Sequence, residues 1–254
     1  MTFDYNLKVV DWSDRLEITQ YMNPICTGKK TGTKVRTPYD QMSPAEQEKS
    51  DKRREAYYRK RIRELCLLAV ENHLTTFITL TFADEVTDYE TAKHEWELFL
   101  KRLKYRFSEH DLIYIAVHEL QRKRASDGNE GVYHFHILTN IGFFPIAELQ
   151  KIWRNGYCFI EQAKRGQTSH ITYLFKYVTK DVLADEKKGV RSKHRLIYSS
   201  RNIKRPRVIK ELSGESLDEL FWNYLEKIDS MSSYEVKNHN GAIINHADHI
   251  SIKK

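Results

Sequence analysis

A chain of 254 residues, 40% hydrophobic and 30% charged, can bury one sizeable core with appendages or two small ones, and is too apolar for wholesale disorder. It has no apolar run of membrane-spanning length and no basic-then-apolar leader at its start, and Cys26, Cys66 and Cys158 stand singly, which excludes a CxxC zinc site or disulfide framework and suits a reducing cytoplasm. Forty-two Lys and Arg against 35 acids leave a net charge of +7, a balance that favours a polyanionic partner, and the lack of an apolar run predicts no membrane partner.

Residues 4–22 alternate (Tyr5, Leu7, Val9, then Leu16, Ile18, Tyr21) and predict a hairpin. A basic loop follows over 23–42. Ser43, Pro44 and Glu46 form a helix start, as N-cap, first helical residue and capping-box acid. The helix runs to about Asn72, charged in its first half (Arg53 to Arg63) and apolar in its second. The segment FITLTF, 77–82, is rich in β-branched and aromatic residues and reads as a buried strand, with Thr79 and Thr81 on one face. That small polar face leaves room for a sugar-phosphate backbone. Thr87 and Glu90 suggest a second capping box, ahead of Trp96, Phe99, Leu100, Leu103 and Phe107 at helical spacing.

Strands are expected at 111–120 and 132–140, joined by a glycine-bearing hairpin loop from Gln121 to Gly131. Pro145 opens a short helix that stops at Gly156, residues 157–164 form a strand, and helical spacing resumes from Ser169 to about Val182. The order β-α-β-β-α-β-α predicts an α+β fold of ferredoxin-like kind, an antiparallel sheet with helices on one face. Between Lys187 and Lys210 there are ten Lys or Arg and no acid. A helix is expected at 215–228 and a loose, polar tail over 230–254. The organisation anticipated is therefore 1–73 for the hairpin, loop and helix, 74–185 for a core, 186–229 for a basic extension and helix, and 230–254 for the tail.

Three groups of residues carry chemistry. His134 and His136, two apart on a strand, project to one face, and the preceding strand offers Glu119 beside them. Two imidazoles and a carboxylate suit a divalent metal with open positions; a chance pair of histidines on a half-buried strand is the plainer reading. The second group is Tyr173, Lys176, Tyr177 and Lys180, one stripe of a helix at i, i+3, i+4 and i+7. A phenol attacks only when cations favour its phenolate, which adjacent lysines supply; otherwise the stripe is a solvated amphipathic face. The third is the threonine face of 77–82; apart from these, the run of bases over 187–210, which includes Arg201, Lys204, Arg205 and Arg207, and the helix around Arg53–Arg63 suit phosphate contacts.

In this order, a TLT strand, an acidic strand end, His-hydrophobic-His and YLFKYVTKD resemble the HUH endonucleases that start rolling-circle replication, most of all the initiators of small single-stranded DNA phages. The resemblance runs from about Arg61 to Asp181, and more loosely into SSRNIKRPRVI (199–209). It implies an HUH endonuclease fold and a metal-dependent nickase and strand transferase. His134, His136 and Glu119 would hold Mg²⁺ or Mn²⁺, Tyr173 and Tyr177 would be paired nucleophiles, and Lys176 and Lys180 would assist them. His118 competes with Glu119 as third ligand, because a one-residue shift in register flips the face. The partners implied are single-stranded and duplex origin DNA, in the cytoplasm. No GxxxxGK[ST] motif occurs, so strand opening is expected of a separate or host helicase. A plasmid relaxase is expected to be longer, and a single-tyrosine HUH transposase does not account for Tyr177. A non-catalytic nucleic-acid-binding module on a ferredoxin-like sheet needs neither the histidines nor the tyrosine–lysine stripe.

Overall fold

The chain divides into two units, one of residues 37–204 and one built from both ends, 1–36 with 205–254. The computed structural model describes residues 4–27, 37–121, 131–162, 197–217, 227–238 and 241–254. In chain order these hold β1 (Asp4–Asp11), β2 (Arg15–Cys26), α1 (Pro44–Glu71), β3 (Thr76–Phe82), α2 (Tyr89–Arg106) and β4 (Tyr114–Gln121). There follow β5 (Val132–Thr139), α3 (Ile146–Trp153), β6 (Gly156–Gln162), β7 (Ile197–Ser199), β8 (Arg207–Glu211), β9 (Ile228–Lys237) and β10 (Ile243–Lys253).

In the unit of residues 37–204, an antiparallel five-stranded sheet has the order β6-β3-β5-β4-β7. Its first four strands, with α2 after β3 and α3 after β5, reproduce the ferredoxin-like order expected from the sequence. Alternation decides what each face carries. Ile78, Leu80 and Phe82 of β3, Tyr133, Phe135 and Ile137 of β5, and Ala116 of β4 turn to one face. There they meet Trp96, Phe99 and Leu103 of α2 and Leu149, Ile152 and Trp153 of α3. Phe135 stacks on Trp96 with ring centroids 5.0 Å apart, and Trp153 donates from Nε1 to the Thr81 carbonyl oxygen at 3.0 Å. Each such side chain contributes roughly 1.5–3 kcal/mol by leaving water. They also fix the register of β5, whose even-numbered residues must then face the other way.

The helix starts show how local chemistry sets boundaries. Glu46 Oε2 accepts from the Ser43 backbone N–H at 2.9 Å, with Pro44 at the first helical position, so α1 opens where the sequence indicates. In α2 the cap is Asp88 rather than the expected Thr87: its carboxylate accepts from Thr91 N–H at 2.7 Å. A carboxylate is the better acceptor at the positive end of a helix.

At the start of β6 the chain passes Arg154, left-handed at φ 70°, and then Gly156 at φ 143°. A Cβ on Gly156 would lie 2.3 Å from the Ala83 amide nitrogen and 2.5 Å from the Thr81 carbonyl oxygen, neither of which can yield. Gly156→Ala should therefore cost about 3 kcal/mol, seen as a thermal midpoint lowered by roughly 6–12 °C. Gly142→Ala, whose added Cβ meets nothing within 4 Å, is the control and should melt with the parent.

The unit of the chain ends is a second antiparallel five-stranded sheet, β8-β1-β2-β10-β9, over a small core of Leu7, Ile18, Leu217, Ile250 and Ile252. This corrects three expectations. Residues 230–254 are no loose tail: they form β9 and β10, and β10 lies between β2 and β9, covering Ala247, Ile250, Ser251 and Ile252. Their polar composition reflects β9, an edge strand exposed along most of its length, where polar side chains discourage pairing with other chains. The hairpin β1–β2 belongs with these C-terminal strands and not with α1, so the boundary at 73 is replaced by ones near 36 and 204. The basic extension is likewise split, β7 joining the ferredoxin-like sheet and β8 pairing with β1. Of the helix expected at 215–228, residues 218–226 lie outside the described residues, and from Ile228 the chain is strand.

Candidate nuclease site

β5 is buried along its whole length, yet the face turned away from α2 and α3 carries His134 and His136, each only 4% exposed. Its neighbours place polar groups opposite. On β4 the register sets Glu119 against His134 and Val117 against His136, and on β3 it sets Thr81 against His134 and Thr79 against His136. Glu119 Oε2 lies 3.3 Å from His136 Nε2, and the two imidazole centroids are 6.4 Å apart. Phe77 stacks against His136 at 5.8 Å with an interplanar angle of 14°. Burying a carboxylate and two imidazoles in the middle of a sheet is costly unless they are partnered, so this polar layer needs an explanation that packing does not supply.

The register also separates the two acidic-strand candidates. His118 faces the helices, its ring 5.7 Å from Tyr89, 5.4 Å from Tyr133 and 6.0 Å from Tyr198, while Glu119 shares the face of the histidines. The donor types gathered there, two imidazoles and one carboxylate, are those of an open divalent-cation site. Among the described residues no three His, Cys, Asp or Glu side chains stand converged as a finished cation cage.

The threonines of β3 acquire a role the sequence reading did not give them. Thr79 Oγ1 is 3.1 Å from His136 Nδ1, and Thr81 Oγ1 is 3.1 Å from His134 Nδ1. Two period-2 motifs, TxT and HxH, on neighbouring strands were the available signal. Only the pairing register shows that hydroxyl and imidazole coincide twice.

Tyr173, Lys176, Tyr177 and Lys180 lie outside the described residues, as does the rest of the helix expected at 169–182. Burial pushes the Cys66 thiol up to about 11 and that of Cys158 upward as well, which makes these two weaker nucleophiles than a free thiol. Of the basic residues, Arg201, Lys204, Arg205 and Arg207 all have exposed side chains. The backbone of the first two is fixed. Asn72, at the end of α1, donates from Nδ2 to the Lys204 carbonyl oxygen at 2.9 Å and accepts from Lys204 N–H at 2.8 Å. Ser200 N–H donates to the Tyr114 carbonyl oxygen at 3.0 Å, and Asn202 Nδ2 donates to the Asp111 carboxylate at 2.5 Å. The charged half of α1 is partly neutralised along the helix, by Lys52–Glu48 at 2.6 Å, Arg59–Glu55 at 2.5 Å and Arg61–Glu64 at 2.8 Å.

Residues 75–182, which span β3 to β6 and the tyrosine motif, match the family model described as Replication-associated protein ORF2. That segment, somewhat under half of the chain, is similar to a replication-associated protein family. The match bears out the resemblance to rolling-circle initiators, and it encloses His134, His136, Glu119, both threonines and both tyrosines. No curated protein and no solved structure matches the chain. None of the described helices is long and apolar enough to cross a membrane.

Proposed function

We propose that the chain nicks and rejoins single-stranded origin DNA through a 5′-phosphotyrosine, leaving a 3′-hydroxyl that primes rolling-circle synthesis. The observation that carries this reading is the buried layer of His134, His136 and Glu119 on the central strand, inside the segment that matches the replication-associated family. His134, His136 and Glu119 hold a Mg²⁺ or Mn²⁺ ion, which when bound supplies Lewis-acid polarisation of the scissile phosphodiester.

The chain's own groups do the rest. Tyr173 or Tyr177 attacks phosphorus through Oη as its proton is lost; the new P–O bond to tyrosine forms as the bond to the 3′ oxygen breaks, and that oxygen leaves as a hydroxyl. Lys176 and Lys180, which fall on the tyrosines' stripe in the helix predicted from the sequence, favour the phenolate over the phenol. One phosphoester replaces another, so rejoining needs no ATP. The second tyrosine permits a second attack that ends a round and releases a circle. Strand opening falls to a separate helicase.

The decisive experiment incubates the full chain with end-labelled single-stranded origin DNA and Mn²⁺, then resolves it under denaturing conditions. A covalent adduct between the protein and the 5′-phosphate end of the fragment downstream of the nick, absent with EDTA, is the expected result. DNA that is bound but never cleaved would favour the binding-module reading instead.

Docking to origin DNA falls to the exposed bases after β7. Neutralising Lys204, Arg205 and Arg207 together should weaken binding to duplex DNA and make its log–log salt dependence shallower by roughly two to three units, about one per lost phosphate contact. Fluorescence anisotropy across a salt series measures this, and an unchanged slope returns these side chains to solvated surface.

A further inference from the structure

The two Thr–His contacts repeat one geometry at two successive positions of the same strand pair: Thr81 against His134 and Thr79 against His136, each with Oγ1 3.1 Å from Nδ1. We propose that Thr79 and Thr81 are positioning residues, whose hydroxyls hold the two imidazoles by Nδ1 so that both Nε2 atoms are presented on the Glu119 side for a divalent cation. This rests on the cation reading above. Metal-binding histidines characteristically use their second ring nitrogen on a fixed partner that sets ring orientation. Carboxylates and carbonyls, the usual partners, only accept. A hydroxyl both donates and accepts, so it can serve either tautomer of the ring.

That property has a use here. Glu119 Oε2, 3.3 Å from His136 Nε2, is an acceptor when ionised, and so favours a proton on Nε2 while no cation is present. The Thr79 hydroxyl then donates to Nδ1. When Nε2 gives its lone pair to a cation, the neutral ring keeps its one proton on Nδ1, and Thr79 Oγ1 becomes the acceptor. The same rotor serves both states without leaving a buried nitrogen unpaired. β3 shows that these positions are set apart: its burial alternates so that Thr79 and Thr81 are half-buried while Ile78, Leu80 and Phe82 are buried.

The plainer account is that threonine merely suits a strand. Valine separates the two, since it has the same shape and a strand preference at least as high but no hydroxyl. The test uses the full chain without DNA. Titration calorimetry with MnCl₂ on Thr79→Val/Thr81→Val should show affinity weakened about 10- to 100-fold, in a protein that still unfolds in one cooperative transition at a midpoint lowered by the two lost hydrogen bonds. Thr79→Ser/Thr81→Ser should restore affinity to within about threefold. Imidazole ¹⁵N spectra of the cation-free protein should show altered tautomer populations at His134 and His136 in the valine variant and near-parental ones in the serine variant. A valine variant that binds Mn²⁺ like the parent with unchanged ¹⁵N spectra overturns the proposal. If the parent itself takes up no Mn²⁺, the cation reading fails; the ¹⁵N spectra then decide the threonine–histidine coupling alone, and unchanged spectra overturn that too.

Discussion

Replacing both tyrosines, Tyr173→Phe with Tyr177→Phe, should abolish the covalent DNA adduct, while each single replacement keeps part of it. On the helix that the sequence predicts, residues four apart are separated by one turn, about 6 Å along the axis, a spacing that would let either hydroxyl serve one scissile phosphate in turn. Phenylalanine removes the attacking oxygen and leaves the ring, so folding and DNA binding should be unaffected. The loss expected is that of the reaction itself. The measurement is adduct yield on a labelled single-stranded oligonucleotide, with strand transfer scored separately in the same samples. One silent and one fully active single variant, in both cleavage and transfer, would sink the paired mechanism. The silent tyrosine would then be a structural or substrate-contact residue beside a lone nucleophile.

The second large effect is expected at the histidines. His134→Ala or His136→Ala should reduce nicking by about 10³-fold or more, because Lewis-acid stabilisation is worth several kcal/mol and each 1.36 kcal/mol is a factor of ten. Binding to duplex origin DNA should stay mostly intact, since these side chains lie in the buried layer of β5 and not among the exposed bases. Alanine also removes the partner of a threonine hydroxyl and, for His136, of the Glu119 carboxylate, so some loss of stability accompanies it. Glu119→Gln, of the same shape, and EDTA treatment of the parent provide arms free of that cavity. Nicking that survives EDTA and both histidine substitutions would remove the metal from the mechanism while leaving the match to a replication-associated family untouched.

The outcome at Glu119 and His118 illustrates why such a site is only half legible. Both are donors, both sit at the end of one strand, and composition cannot tell them apart. The answer depends on which residue of β4 stands opposite His134, and that depends on the packing of Trp96 and Phe135 on the far side of the sheet. Hydrogen-bonding register is a property of two strands together.

The amino-acid sequence by itself determined the elements whose signals are local. The capping chemistry around Ser43, the alternation of FITLTF, the HxH strand and the βαββαβ order all follow from side chains within a few residues of one another, and the ferredoxin-like sheet and the resemblance to rolling-circle initiators follow from them. Only the tertiary structure decided what depends on partners far along the chain. It joined residues 4–26 to residues 207–253 in a second sheet, turning a polar C-terminal stretch into two strands, of which β10 pairs with β2 and β9 with β10. It also turned Thr79 and Thr81 from a small polar face into the partners of two imidazoles more than fifty residues away. Local propensity is written into neighbouring residues, whereas strand partnership is chosen by the burial of whole faces, and no short window of sequence contains it.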